Sequence, residues 1–479
     1  LANILTLVTS SIQNMASMDF DLNNEGGYSI EKFESMLKTN EVGFFDSDEF
    51  EQIIEHYLES GKMANARKAI HLALAQHPSS MNIQLLHAEM LVFDNRFDDA
   101  HEVLNTLHEV QPTNSEIFIQ KANIFSKTER HDLAIDLLKK ALDLTDDKAD
   151  VYNLIGMEFL FIEDYSNAKV NFMQCLEIDD TDYSALYNIM YCFDFLGEHQ
   201  QAIDFLNMFL NENPYSEVAW HQVGKQYFDL KMYEKSLAAF EFAIISDEHF
   251  VGAYLEKGKV LEKLGRYNEA IENYQITLTL DDPTSFAYLR LGKCYQKLGV
   301  DELAIKFFKK TITEDPLLDK GWISIIDYYS RKLNYPKALT YAEKATEVDA
   351  ENALYWIRYA DLNKRLNFFE EAEYGYRRAI ELGNYEEQTW LSRADILLAL
   401  GEYRAVISNL NHGLEFYPDH VEMVYRLAGI YFTLNQLNEA RFHLQNALKT
   451  DPEFIIILEE LYPAVYEMDE VQDLIASLK

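Results

Sequence analysis

Apolar positions along this chain come in paired bursts at helical spacing. Between Val251 and Thr284 they fall at Tyr254, Leu255, Gly258, Leu261 and Leu264, break at Gly265, and resume at Tyr267, Ala270, Ile271, Tyr274 and Leu278. Steps of three and four residues put these side chains on one face of a helix, and the glycine between the bursts marks a turn. The stretch therefore predicts two amphipathic helices of ~14 residues, each about 20 Å long, folded into a hairpin.

The hairpin recurs with a fixed period. Trp220, Trp322, Trp356 and Trp390 are separated by 102, 34 and 34 residues, all multiples of 34. Rows of 34 laid from Ser47 give twelve rows that end at Phe454 without insertion or deletion, and each Trp falls at the fourth place of its row. The eighth place is Gly or Ala in nine of twelve rows, and the twentieth is Ala in ten. Small residues at fixed places allow two helices to approach closely, while aromatics at places four, eleven, seventeen and twenty-four fill the space between rows. Proline recurs at place thirty-two as Pro78, Pro112, Pro214, Pro316, Pro418 and Pro452, where it ends one helix before the next begins.

This pattern resembles the tetratricopeptide repeat family. Trp220, Gly224, Tyr227, Tyr233, Phe240 and Ala243 carry it in one row, with Ser236 where the family has Ala. The resemblance covers residues 47–454. It implies an all-α, right-handed superhelical solenoid of helix-turn-helix units whose first helices line a concave groove, and it implies binding of a protein or peptide, not a reaction. Residues 455–479 read as a partial thirteenth unit acting as a polar cap, its first helix interrupted by Pro463. Residues 1–46 read as an N-terminal extension: a flexible acidic stretch at 19–28, then one short helix, Ser29 to Lys38, with Phe33, Met36 and Leu37 apolar.

Composition narrows the partners. With 80 acidic against 42 basic residues the formal net charge is -38, which repels phosphate backbones and anionic headgroups; nucleic acid and membrane surfaces are excluded as expected partners. Cys175, Cys192 and Cys294 form no C-x-x-C spacing and fit a reducing compartment, so the expected location is the cytoplasm. No stretch approaches the ~20 apolar residues of a membrane-spanning helix. The mildly apolar Leu1 to Ile12 lacks a basic leader; because the chain opens on Leu, residues 1–17 read either as a truncated export signal or as sequence upstream of a start at Met15 or Met18.

No motif for catalysis, a cofactor or a metal stands in the sequence. A P-loop, H-E-x-x-H, G-x-S-x-G and G-x-G-x-x-G are all absent, and the thirteen histidines lack i, i+4 pairing. Function is therefore sought in the groove, which the resemblance assigns to places two, five, six, nine, twelve and thirteen of each first helix. Place nine reads Lys225, Lys259, Lys293 and then Asp327, Asp361, Asp395; place thirteen adds Lys263, Lys297, Arg331 and Arg365, and place six adds Arg290, Arg358 and Arg426. Lys225 with Asp229, Lys259 with Glu256 and Glu262, Asp327 with Arg331, and Asp361 with Arg365 are spaced to neutralise one another locally.

One helix, Ser285 to Leu298, survives that subtraction: Arg290, Lys293 and Lys297 share a face and the helix holds no acidic residue. It is the expected anchor, supported by Lys259 and Lys263, for a partner with an acidic segment. Upstream, Leu154, Leu160, Phe161, Tyr187, Tyr191, Phe195 and Phe228 occupy groove places in rows four to six and suit the apolar face of a partner. The paired Lys and Asn arrangement of chaperone-clamping relatives is not reproduced, and the asparagine ladder of glycosyltransferase-associated arrays reduces to Asn188. The expected function is a non-enzymatic interaction scaffold; a regulator whose superhelix tightens on a peptide or ligand, and an envelope-associated assembly factor, are the alternatives.

Overall fold

The structure, a computed structural model, describes residues 24–39, 43–280 and 284–477. All secondary structure among them is helical. The chain forms two compact units, Leu1–Glu248 and His249–Lys479.

The first unit opens with a helix over Asn24–Thr39, longer than the expected Ser29 to Lys38; of the stretch expected to be a flexible linker, residues 19–23 lie outside the described residues and the rest is helical. Phe33 is fully buried against Phe45, Phe50 and Tyr57, with ring centroids 5.8, 6.5 and 6.0 Å away. Met36 joins the same cluster with Ile53 and Ile54 of the first hairpin. Six hairpins follow, from Ser47–Glu59 with Met63–Gln76 to Glu217–Asp229 with Tyr233–Ser246.

The second unit holds six more, from Val251–Lys263 with Tyr267–Leu280 to Val421–Thr433 with Leu437–Thr450. A 3₁₀ turn at Pro452–Ile455 and helices Ile456–Leu461, Pro463–Tyr466 and Asp469–Ser477 close it. Leu458, Tyr462, Val465 and Val471 bury themselves in the core of the last two hairpins. The ring of Tyr462 lies directly over Gly429, where a Cβ would meet it at 2.3 Å. Place nine of row twelve is thus covered by the chain itself.

The turn inside each hairpin explains the strict period. Residue fifteen of all twelve rows has a positive φ: Gly61, Gly197, Gly265, Gly299 and Gly401, but also Asn95, Glu129, Glu163, Lys231, Leu333, Asn367 and Asn435. This left-handed residue ends the first helix and is comfortable for Gly, tolerable for Asn, and costs ~1–2 kcal/mol for other side chains. Many first helices are also started by a side chain that caps a free backbone N–H: Ser80 accepts from Ile83, Asp182 from Ala185, Ser216 from Ala219 and Thr284 from Ala287.

Between the two helices of a hairpin, volume is conserved pairwise. Gly156, Gly224, Gly258 and Gly292, all at place eight, lie under Phe172, Phe240, Tyr274 and Phe308 at place twenty-four; a Cβ on any of these glycines would sit 2.5–2.7 Å from the ring. Where place eight is larger, place twenty-four shrinks. Ile326 shares its cluster with Ala342, and Met190 shares its own with Leu206. Tyr376 keeps its size opposite Ala360 because Gly375 beside it opens space, a Cβ there falling 2.9 Å from the Ala360 Cβ.

Two stability measurements test this account. Gly292→Leu should lower the urea midpoint by the equivalent of about 1–3 kcal/mol through overpacking, and adding Phe308→Ala should recover much of the loss; a double variant less stable than either single one would refute the pairing. Leu333→Gly, relieving a 72% exposed side chain from a left-handed turn, should raise stability by about 1 kcal/mol. A loss of stability in that variant would show that the turn carries no strain.

Candidate functional site

In the second unit, helix Ser285–Lys297 turns Ala287, Leu291, Gly292 and Cys294 into the core and leaves Arg290 and Lys293 half-buried and Lys297 exposed. Arg290 is not unpaired. Its Nη1 lies 3.4 Å from Oε2 of Glu262, on the first helix of the preceding hairpin, and its guanidinium sits 5.0 Å from the Phe286 ring. Glu262 Oε1 also accepts a 2.6 Å hydrogen bond from Tyr274 Oη, so the burial and adjacent carboxylate hold that phenol far above its usual range. Counting acids along one helix missed Glu262 because it reaches across from another row.

Lys259 is likewise engaged, 2.5 Å from Glu256 Oε1 and over the Phe286 ring at 5.1 Å. Lys263 and Lys297 are exposed, and neither forms an ion pair among the described residues. Lys293 is held below the usual ammonium range by burial first, then by Arg290 and Lys320. Of the five predicted cations, Lys293 lines, with Gln296, Lys320, Ile323, Ser324, Asp327 and Arg331, a depression of about 440 Å³ between the first helices of rows eight and nine.

The expected i, i+4 pairs of the next rows do not form. Arg331 Nε donates to the backbone oxygen of Asp327 at 3.3 Å, while the Asp327 carboxylate lies 3.7 Å from Arg358 of the following row. Asp361 accepts from Tyr376 Oη at 2.6 Å, and Arg365 stands 5.5 Å from the Tyr335 ring. Asp395 is taken by Lys364 at 3.0 Å and by Arg426 at 2.5 Å. Asp327 and Asp395 are neutralised from neighbouring rows, which leaves Arg331 and Arg365 without a carboxylate partner among the described residues.

A second depression, of about 370 Å³, follows between rows nine and ten, lined by Asp327, Arg331, Tyr335, Arg358, Asp361 and Arg365 among others. Rows eight to ten thus gather Lys293, Lys320, Arg331, Arg358 and Arg365 around two aspartates. Lys320 is legible in sequence as a cation at groove place two.

In the first unit the predicted aromatics divide. Phe195 is 58% exposed and stacks on Tyr165 at 4.5 Å, with Tyr191 4.9 Å away, so three rings from rows four and five form one surface cluster. Tyr165, at place seventeen, was not singled out in the sequence. Tyr187 is exposed one turn earlier on the same helix. Phe228 is half-buried against Tyr233 at 5.7 Å, and Phe161 stacks on the His131 ring at 5.1 Å. Leu154 and Leu160 are drawn into packing between helices.

Hairpins repeated at a constant period define a helical-repeat protein. Models of the tetratricopeptide repeat match residues 118–152, 149–182, 184–216, 251–281, 286–317 and 397–456. The chain is a tetratricopeptide-repeat protein. It is 28% identical over 162 residues, 34% of its length, to anaphase-promoting complex subunit 3 of Schizosaccharomyces pombe, and the match spans 24% of that subunit. A chain of the APC/C hetero-tetramer Cut9-Hcn1 is 15% identical with a TM-score of 0.35, covering 99% of both chains. A tetratricopeptide repeat protein from Parabacteroides merdae is 14% identical with a TM-score of 0.36, covering 59% of this chain and 99% of that one. Among the described residues no helix is long and apolar enough to cross a membrane.

The pairing of Arg290 separates structural from exposed cations. Arg290→Gln should destabilise the protein by about 1–2 kcal/mol, because it strips a cation from the 17% exposed Glu262 side chain. Lys297→Gln should leave the melting temperature unchanged. Equal effects from the two substitutions would overturn the distinction.

Proposed function

We propose that this chain is a non-catalytic interaction scaffold in the cytoplasm that holds a segment of a partner protein on the first-helix face of rows eight to ten. The carrying observation is the gathering of Lys293, Lys320, Arg331, Arg358 and Arg365 along two adjacent depressions in a protein of net charge -38. A concave, partly desolvated wall strengthens the field of such cations, and Arg forks suit carboxylates bidentately. The partner segment is therefore acidic and extended or helical. Asp327 and Asp361, between the cations, favour a ligand whose carboxylates are spaced and not contiguous.

The exposed rings of Tyr187 and Phe195, with half-buried Tyr165 and Tyr191 beside them, support a second, apolar contact surface in the first unit, where aromatics give large contact area at little entropic cost. Partial likeness to a subunit of a large complex agrees with a scaffold's role inside a multi-subunit assembly. The buried, free Cys175, Cys192 and Cys294 suit a reducing compartment. Each thiol is pushed up to about 12, chiefly by burial, which removes them as nucleophiles.

Fluorescence anisotropy with an Asp/Glu-containing peptide and the full chain tests the cationic face. Binding should weaken as salt rises, and the pair Lys293→Glu with Arg331→Glu should reduce affinity by about tenfold or more, the loss expected for ~1.4 kcal/mol. Affinity unchanged in the double variant, with helicity intact by circular dichroism, would remove this face as the binding site.

A further inference from the structure

Rows five and six of the first unit place three ligand-type side chains together from three helices. Asp194 lies in the last turn of Tyr183–Leu196, His199 begins helix His199–Glu212, and Asp229 ends Glu217–Asp229. Each offers a ligand atom, and the three atoms lie within 4.8 Å of one another. His199 is partly buried and both aspartates are exposed, so the cluster opens to solvent on one side.

A fourth residue fixes how these groups are presented. Gln226 is fully buried, and its Nε2 donates to Asp194 Oδ1 at 2.7 Å. A carboxylate only accepts, so the amide nitrogen must face it, which turns Oε1 toward His199 Nδ1 at 2.8 Å. Oε1 only accepts in turn, so Nδ1 donates to it and Nε2 is the nitrogen left for a metal ion. One buried carboxamide thus orients two of the three side chains, as the outer partners of metal-binding histidines do.

The chain supplies its own comparison. The same four places two rows earlier hold Ser126, His131, Glu158 and Phe161 in place of Asp194, His199, Gln226 and Asp229. There His131 Nδ1 meets the Glu158 carboxylate at 2.8 Å and the Phe161 ring lies stacked over the imidazole at 5.1 Å. That version is a closed histidine–carboxylate pair. In rows five and six the serine and the covering phenylalanine are both replaced by aspartate, and the histidine's carboxylate partner by a neutral amide. His occurs at place seventeen only in these two rows, and only across rows five and six do both flanking places carry acids.

From this geometry we infer that Asp194, His199 and Asp229 bind a divalent first-row metal ion, Zn²⁺ by the donor set. One nitrogen and two carboxylate oxygens form the three-ligand set that zinc completes with water. The negative ends of two helices, at Asp194 and Asp229, add to the attraction for a cation. The ion would tie three helices of two adjacent hairpins and stiffen the stack beside the Tyr191 and Phe195 surface. Metal motifs in the sequence missed it because its ligands are spread over 36 positions, from Asp194 to Asp229, and no second histidine stands at i, i+4.

Calorimetric titration of the full chain with ZnCl₂, with about 1 mM Mg²⁺ present to occupy unspecific carboxylates, should give one saturable site per chain. Asp194→Asn and Asp229→Asn keep size and shape, and each should weaken that site by about tenfold or more; Gln226→Leu should do so too, through loss of orientation. Co²⁺ in place of Zn²⁺ should give visible absorption bands that vanish in His199→Ala. A wild-type chain with no saturable site, or one whose site survives both Asn substitutions with helicity unchanged, would overturn the inference. Neither result bears on peptide capture at Lys293 and Arg331.

Discussion

An aromatic ring laid on a missing side chain sets the distance between the two helices of a hairpin, and much else follows from that distance. Where Phe172, Phe240, Tyr274 and Phe308 cover Gly156, Gly224, Gly258 and Gly292, the backbone of the first helix approaches the ring face without a Cβ between them. Close packing makes this a constraint on pairs, not on single positions. Ile326 with Ala342 keeps the same sum by exchanging the partners. Because every hairpin satisfies the constraint in its own way, the left-handed turn at place fifteen can recur in all twelve rows, even where Glu129, Glu163, Lys231 or Leu333 must adopt it at a cost.

Regular spacing also decides the electrostatics. First helices at a fixed separation bring several side chains within ion-pair reach of the next row. Glu262 reaches Arg290, Asp327 reaches Arg358, and Asp395 is shared by Lys364 and Arg426. These contacts bridge hairpins and so belong to the stacking term that holds a repeat array together. What remains is what stacking does not use: half-buried Lys293 with exposed Lys320 and Arg331 at one depression, and Arg331 with Arg365 at the next.

The repeat was fully legible in sequence because its signals are local. Helical spacing, a glycine or asparagine break and a small residue at a fixed place all depend on neighbours within one row. The groove was legible only in outline. Arg290 looked free because its partner Glu262 is 28 residues away, and Arg331 looked satisfied because Asp327 is four residues away. Row-to-row contacts depend on rotamers, which a spacing rule does not contain. Tyr165 is hidden for the same reason: its half-buried ring packs on the core as place seventeen usually does, and only its contact with exposed Phe195 adds it to the surface cluster.

A strict repeat offers a way past that limit, since each row is a control for the others. Place seventeen is aromatic in most rows and packs between helices; His131 and His199 depart from it together, each hydrogen-bonded to place ten of the next row. A shared departure with a shared contact marks a structural variant of the motif. The further changes around His199, an aspartate for Ser126's place, an aspartate for Phe161's place and an amide for Glu158's, are not needed to keep that contact, which the row-three version makes without them. They remove a cover and place two carboxylates beside the imidazole. The carboxyl ends of two helices oppose the charge of the Asp194 and Asp229 carboxylates. A cation between them reverses the sign of that balance, and it is this reversal that separates the His199 cluster from the acidic surface around it.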